Sequence, residues 1–226
     1  LLGYIRYDAT GDGTRSARYN LRTVEQGYAR VYDSNFDFHS EFIDAERTAQ
    51  ANGVGLWGQS DPENTVADRN RDADDMFLPT PEAIRTDTGQ LDRSRAPVVA
   101  ESSATQSGGF VSYSSDVPVI GVDESNSVGA VGTPLIDYDY EAEEGYAVDT
   151  ATYENFVVLT NLINYLSDNT GRVVMDCAHG QFAAGGSLDP EDTAYYQRFL
   201  EGVGVDFESI ADLTTSRLGD ARALLV

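Results

Sequence analysis

Hydrophobic and polar positions change rhythm several times along the chain. "LLGYIRYD" (1–8) is rich in β-formers in near-alternation and predicts a strand. "DATGDGT" (8–14) reads as a hairpin turn in which Gly11 and Gly13 can take positive φ. A second strand is expected around Arg15–Tyr19. Asn20 then reads as the cap of a short helix, Leu21–Gln26, with Leu21 and Val24 inward and Gly27 as its left-handed stop. "YARVY" (28–32) returns to extended chain. From Asp37 to Asn52 the spacing becomes helical, with Phe38, Phe42, Ala45 and Ala49 on one face and Gly53 as the terminator. "GLWG" (55–58) closes the block.

Residues 59–95 lose this periodicity. They are acidic and polar and carry Pro79, Pro81 and Gly89, which predicts a linker draped over its neighbours. Residues 96–226 read as α/β. "PVVAES", "VPVIGVD" and "SVGAVGTPLID" are expected strands. A helix is expected over Thr152–Leu166, burying Phe156, Leu159, Ile163 and Leu166. "GRVVMDCAHG" is an apolar strand opening onto a loop. "LDPEDTAYYQRFLEGVG" is a helix with Asp189 as cap and Pro190 in its first position. "VDFESI", a short helix near Thr214–Leu218 and "ARALLV" complete the pattern. Strands alternating with helices predict a mainly parallel, doubly wound sheet. Val226 falls inside an apolar strand, so the domain is expected to continue beyond it.

Charge changes the picture. Asp plus Glu number 38 against 15 basic residues, a net of −23, and every basic residue is Arg. Acidity of this kind, without Lys, fits a protein of a salt-rich environment and a halophilic archaeal source. There the Debye length falls to roughly 3 Å at 1 M and self-repulsion is screened. Acidity normally argues against nucleic acid as a partner, but that argument weakens where salt explains the charge. Cys177 is the only cysteine, so no internal disulfide can form. No apolar run approaches the ~20 residues of a membrane span.

In order, the strand and turn of residues 1–14, Asn20 with Gly27 in "NLRTVEQGYARVY", "AERTA" (45–49) and "GVGLWG" resemble the C-terminal half of a staphylococcal-nuclease-like (thermonuclease) domain. The resemblance covers about the first quarter of the chain. It implies part of a five-stranded OB-type barrel with helices packed on it, the first half lying outside this chain. In that family acidic residues hold Ca²⁺, a Glu helps activate water, and two Arg stabilise the phosphorane. All belong to the half that precedes Leu1, so none is assigned here. The resemblance leaves Asn20 and Gly27 at helix ends, Glu46 in packing or an ion pair, and Trp57 as an anchor. Arg30 and Tyr32 are the candidates for facing a nucleotide. An incomplete barrel exposes a strand edge, which invites self-association or cover by another element.

Two other segments suggest chemistry. Asp68, Asn70, Asp72 and Asp74 mimic the start of a calcium loop. Ala73 stands where Gly is needed, however, and Pro79 where a bidentate Glu is needed, so no metal is assigned. "VVMDCAHGQF" places Asp176, Cys177, His179, Gly180 and Gln181 at the carboxyl end of a strand, where parallel sheets bind ligands. These five form the candidate ligand pocket. Cys177 with His179 reads as a nucleophile–base pair or as two metal ligands, and local loop fixing is the plainer role. "D-x-x-H-G" at 176–180 and the helix "ENFVVLTNLINYL" (154–166) resemble a divergent class I glutamine-amidotransferase-like domain over residues 96–226. That family's nucleophile sits in a G-x-C-x-G elbow, which "DCAHG" is not. The resemblance therefore implies fold and not glutaminase activity.

Three functions are expected to compete: a Ca²⁺-dependent nuclease of DNA or RNA in which this chain alone is inactive, a non-catalytic α/β binding module beside a degenerate nuclease block, and a hydrolase using Cys177 and His179.

Overall fold

The computed structural model describes residues 3–31, 36–58, 71–78, 81–106, 108–136, 152–182, 186, 188 and 190–226. Tyr32, Asp68, Asn70, Pro79, the acidic loop with Glu141–Glu144, and Asp189 lie outside the described residues. Helices and strands mix in an α/β chain that divides into two compact units. One joins residues 1–67 to 171–226, and the other is 68–170. The division differs from the expected boundaries at 58 and 95, because the first block finds its partners in the last 56 residues and not within a barrel of its own.

The first unit opens with β1 (Arg6–Tyr7) and β2 (Ala17–Arg18), an antiparallel pair. The turn between them is held by the Asp8 carboxylate. It accepts the backbone N–H groups of Thr10, Gly11, Asp12 and Gly13, which holds its pKa below the usual carboxylate range. Gly11 and Gly13 take φ of 77° and 85°, as the turn pattern requires. Helix α1 runs Tyr19–Glu25. It starts before the expected cap, and Asn20 is used in another way. The Asn20 Oδ1 accepts the Ile5 N–H at 2.8 Å, tying helix to strand.

Gly27 (φ 62°) ends α1, and Gly55 (φ 62°), at the start of the turn 55–58, packs against it. A Cβ on Gly27 would lie 2.0 Å from the Val54 carbonyl oxygen, and one on Gly55 2.4 Å from that of Gly27. Two chain reversals thus pass backbone to backbone, which only glycine permits. Helix α2 runs His39–Ala51. Val24, Val31, Phe42 and Ile43 make the block's core, with Leu21, Phe38 and Ala45 packed on it. Glu46 is buried there and accepts the Val31 N–H at 2.9 Å.

The rest of the unit is a parallel sheet in the order β7-β6-β8, with β6 Arg172–Asp176, β7 Phe207–Ile210 and β8 Ala221–Leu225. Val173, Val174 and Met175 of the central strand have no exposed surface, the burial that an apolar run without alternation predicts. Helix α4 (Pro190–Gly202) links β6 to β7, and the short α5 (Thr215–Leu218) links β7 to β8.

The second unit holds β3 (Val98–Val99), β4 (Pro118–Val122), β5 (Gly129–Val131) and α3 (Asn155–Leu166). These strands pair antiparallel, β3-β4-β5, in place of the expected parallel arrangement. The reason is connectivity. Among the described residues no helix of more than one turn separates them, and a parallel crossover needs one. Part of the expected linker is packed here. The Ile84 N–H bonds to the Pro118 carbonyl at 2.8 Å, and a Cβ on Gly121 would strike Ile84 and Leu91 at 2.8 Å. In α3, Leu159 and Ile163 are buried as the periodicity predicts, with Val157 and Leu162 beside them, while Phe156 and Leu166 are half-buried.

Candidate functional site

Strand β6 ends in Asp176, whose residue surface is 0% exposed. Its carboxylate accepts the Ala178 N–H at 3.0 Å and the His179 Nδ1–H at 2.8 and 2.9 Å. A carboxylate taken out of water must be hydrogen-bonded, and His179 supplies a partner through Nδ1. The His179 side chain itself is 61% exposed. With Nδ1 turned to Asp176, Nε2 is the ring nitrogen that faces away from the carboxylate. Gly180 follows with φ 64° and opens the 3₁₀ turn Gly180–Phe182, and Gln181 is exposed.

Cys177 turns the other way. It is 1% exposed, its Sγ–H donates to the Ile210 carbonyl at 3.1 Å, and its Sγ lies 3.6 Å from His39 Nε2. Its imidazole neighbour is therefore His39, on α2, and not His179. His39 is 2% exposed, and burial together with the nearby Arg217 pushes its pKa down to about 4. A neutral imidazole beside a thiol that donates to a carbonyl stabilises no thiolate, so the expected Cys177–His179 nucleophile pair is not assembled. The candidate pocket residues divide into two sets: Asp176, His179, Gly180 and Gln181 on the open side, and Cys177 beneath them.

His39 is also a wall of a cleft of about 450 Å³, lined by Phe36, Asp37, Phe38, His39, Ser40, Glu41 and Ala211. Ala211 directly follows Ile210, which stands opposite Asp176 in the sheet register. From β6 the chain passes to β7 at one edge, and from β7 it crosses back over β6 to β8 at the other edge. His39 is absent from the sequence candidates. It sits at i, i+3, i+4 spacing with Phe42 and Ile43, a place that reads as core, and being one of only two histidines is the one signal for it.

Arg30 is engaged. Its guanidinium lies 4.5 Å from the centre of the Trp57 ring, and its Nη1 bonds Glu201 Oε1 at 2.9 Å while Nη2 pairs with Oε2. Other arginines tie the first block to the sheet. Arg47 reaches Glu208 at 2.5 Å, and Arg217 reaches Asp44 at 2.6 Å and Glu208 at 3.3 Å. Glu208 is itself buried beside Arg172, whose Nε lies 2.6 Å away but is not aligned to donate, so that contact is charge pairing.

Four carboxylates of the first block are already engaged: Asp8 is occupied by its own turn, Glu41 pairs with Arg18, Asp44 with Arg217, and Glu46 holds Val31. Among the described residues no group of three His, Cys, Asp or Glu side chains is placed to hold a metal ion.

No family model matches the chain, and no solved structure matches it. An uncharacterised protein of the archaeon Methanocaldococcus jannaschii is 40% identical over 57 residues, which is 25% of this chain and 28% of that protein. The likeness thus spans little more than a quarter of that relative. Among the described residues no helix is long and apolar enough to cross a membrane.

Proposed function

We propose that residues 3–58 are the C-terminal frame of a staphylococcal-nuclease-like domain in a Ca²⁺-dependent phosphodiester-hydrolysing protein, and that this chain by itself cleaves neither DNA nor RNA. The observation that carries the reading is the joint made by Asn20, Gly27 and Gly55. The residues that carry the family resemblance are those that lock hairpin, helix and closing turn together. An OB-type barrel is the finer fold the reading implies for the whole domain, and an amidotransferase-like, doubly wound sheet the finer fold for the α/β part. No catalytic step is derived through calcium, and Glu41, Asp44 and Glu46 are committed to other partners.

Cleavage must stabilise a doubly charged phosphorane while water is activated, and several groups must act together. Arg30, the described cation of the two nucleotide-facing candidates, is already neutralised by Glu201. The same ion pair favours the second reading, in which the nuclease-like block is a scaffold for an α/β binding module. The test is incubation of the chain with single-stranded DNA and RNA in molar KCl with Ca²⁺, beside a longer polypeptide supplying the other half of the barrel. Cleavage by the longer protein alone supports the proposal. Cleavage by neither supports the scaffold reading, and calcium-dependent cleavage by this chain overturns both.

A further inference from the structure

We propose that the cleft at the start of α2 is a binding site for a small planar organic cation of the guanidinium type, received by the Phe36 ring and the Asp37 carboxylate. The inference stands apart from the nuclease reading and uses none of the residues that carry it.

The first support is charge. The cleft, at about 450 Å³, has the size of a small-molecule site, and its charged lining is Asp37 and Glu41 with no Arg. Glu41 is paired with Arg18, whereas Asp37 is exposed and has no ion-pair partner among the described residues. His39 walls the cleft and adds no charge at neutral pH, because burial and Arg217 lower its pKa to about 4. Arg217 is itself paired with Asp44 and Glu208. One negative charge is therefore left without a counterpart, and a phosphate or carboxylate would meet a like charge here. The wall also carries an unmet polar group: His39 is 2% exposed, and its Nδ1 is buried without a hydrogen-bond partner.

The second support is a cation that the fold already sets on the neighbouring part of this lining. The Arg18 guanidinium carbon stands 4.3 Å from the centre of the Phe38 ring, and the same guanidinium pairs with Glu41. An aromatic face beside a carboxylate suits this group, because guanidinium is planar, weakly hydrated and attracted by the ring quadrupole. Phe36 and Asp37 offer the same two groups within the same cleft. The Phe36 ring is half-buried and set in the wall by T-shaped contacts with His39 and Phe42, at 5.2 and 5.4 Å between ring centres. Among the described residues no Arg stands over Phe36 as Arg18 does over Phe38. A guanidinium at Phe36 and Asp37 repeats the Arg18 arrangement, supplies the missing positive charge and brings several N–H donors.

The experiment titrates the full chain in molar KCl with methylguanidinium, and in parallel with methylurea, its uncharged planar isostere. Binding is read by NMR from the His39 imidazole and the Phe36 ring. Methylguanidinium should shift both signals in a saturable way and bind about tenfold or more tightly than methylurea. Asp37→Asn, an exposed and isosteric change, should weaken methylguanidinium about fivefold, and Phe36→Leu by a similar factor. Glu25→Gln removes an exposed charge outside the cleft and should leave the affinity unchanged, which separates a local site from the general pull of an acidic protein. Equal affinity for the two probes, shifts that never saturate, an Asp37→Asn variant that binds as tightly as the native chain, or a Glu25→Gln loss equal to that of Asp37→Asn would overturn the proposal. The comparison of probes uses the native chain alone, so it decides the matter even where Phe36→Leu fails to fold.

Discussion

Arg30 sits over the Trp57 ring and closes a two-pronged ion pair on Glu201, 171 positions away along the chain. The pair is partly buried, with side-chain exposures of 26% and 11%. It belongs between the weak surface pairs and the buried ones whose disruption is severe. Glu201→Ala should cost about 1–3 kcal/mol of stability, and Arg30→Ala a similar amount. In a double-mutant cycle by denaturant unfolding the two losses should be clearly non-additive. Additive losses would show that the ring contact, and not the charge pair, holds Arg30.

The facing glycines give a sharper test. Gly27→Ala puts a Cβ 2.0 Å from a carbonyl oxygen in a backbone region that L-residues rarely adopt. Nothing flexible can give way, so a loss of about 3 kcal/mol or more is expected. Gly11→Ala has a comparable φ of 77° but no atom within 4 Å of its Cβ, and should lose only about 1–2 kcal/mol of conformational strain. Equal thermal melts for the two variants would remove the close approach as the cause.

His39 predicts a pH dependence with a definite sign. Its pKa falls from 6.5 in the unfolded chain to about 4 in the fold. The unfolded chain therefore binds the extra proton first. The neutral buried form contributes fully above pH 6.5, and the contribution is lost as pH falls from 6.5 towards 4. The size is about 3 kcal/mol at the acid end, since each tenfold drop in proton affinity corresponds to about 1.4 kcal/mol. Urea unfolding at pH 7 and pH 4 in molar KCl should show a smaller drop for His39→Gln than for the native chain. Parallel drops would mean that the ring is protonated at little cost.

Salt supplies a fourth expectation. With a net charge of −23, self-repulsion opposes the compact state, and molar salt screens it. The melting temperature should rise from dilute buffer to 2 M KCl. The buried Glu208 pairs should not offset this rise, because salt screens a buried pair little. An unchanged melt would mean that the acidity is not a salt adaptation.

Local chemistry was legible from the residues. Gly27 and Gly53 stop helices where the sequence placed the stops, with φ of 62° and 58°. The apolar run Val173–Met175 is the buried central strand it promised. Short strands such as Val98–Val99 and Gly129–Val131 carry no mark of direction, so their antiparallel pairing was hidden. The Asp176–His179 contact spans three positions and could be anticipated. Cys177 with His39 spans 138, and a side chain cannot announce a partner at that distance.

Because residues 68–170 interrupt the first unit, that unit has a history as well as a shape. During synthesis the block with Arg30, Asp44 and Arg47 emerges early, while Glu201, Glu208 and Arg217 follow only after about a hundred intervening residues. At roughly 5–20 residues per second the wait is on the order of 10 s. For that interval the side of α2 that meets β7 has no sheet to rest on. A chaperone or a protease therefore meets the block of residues 3–58 in its least protected form.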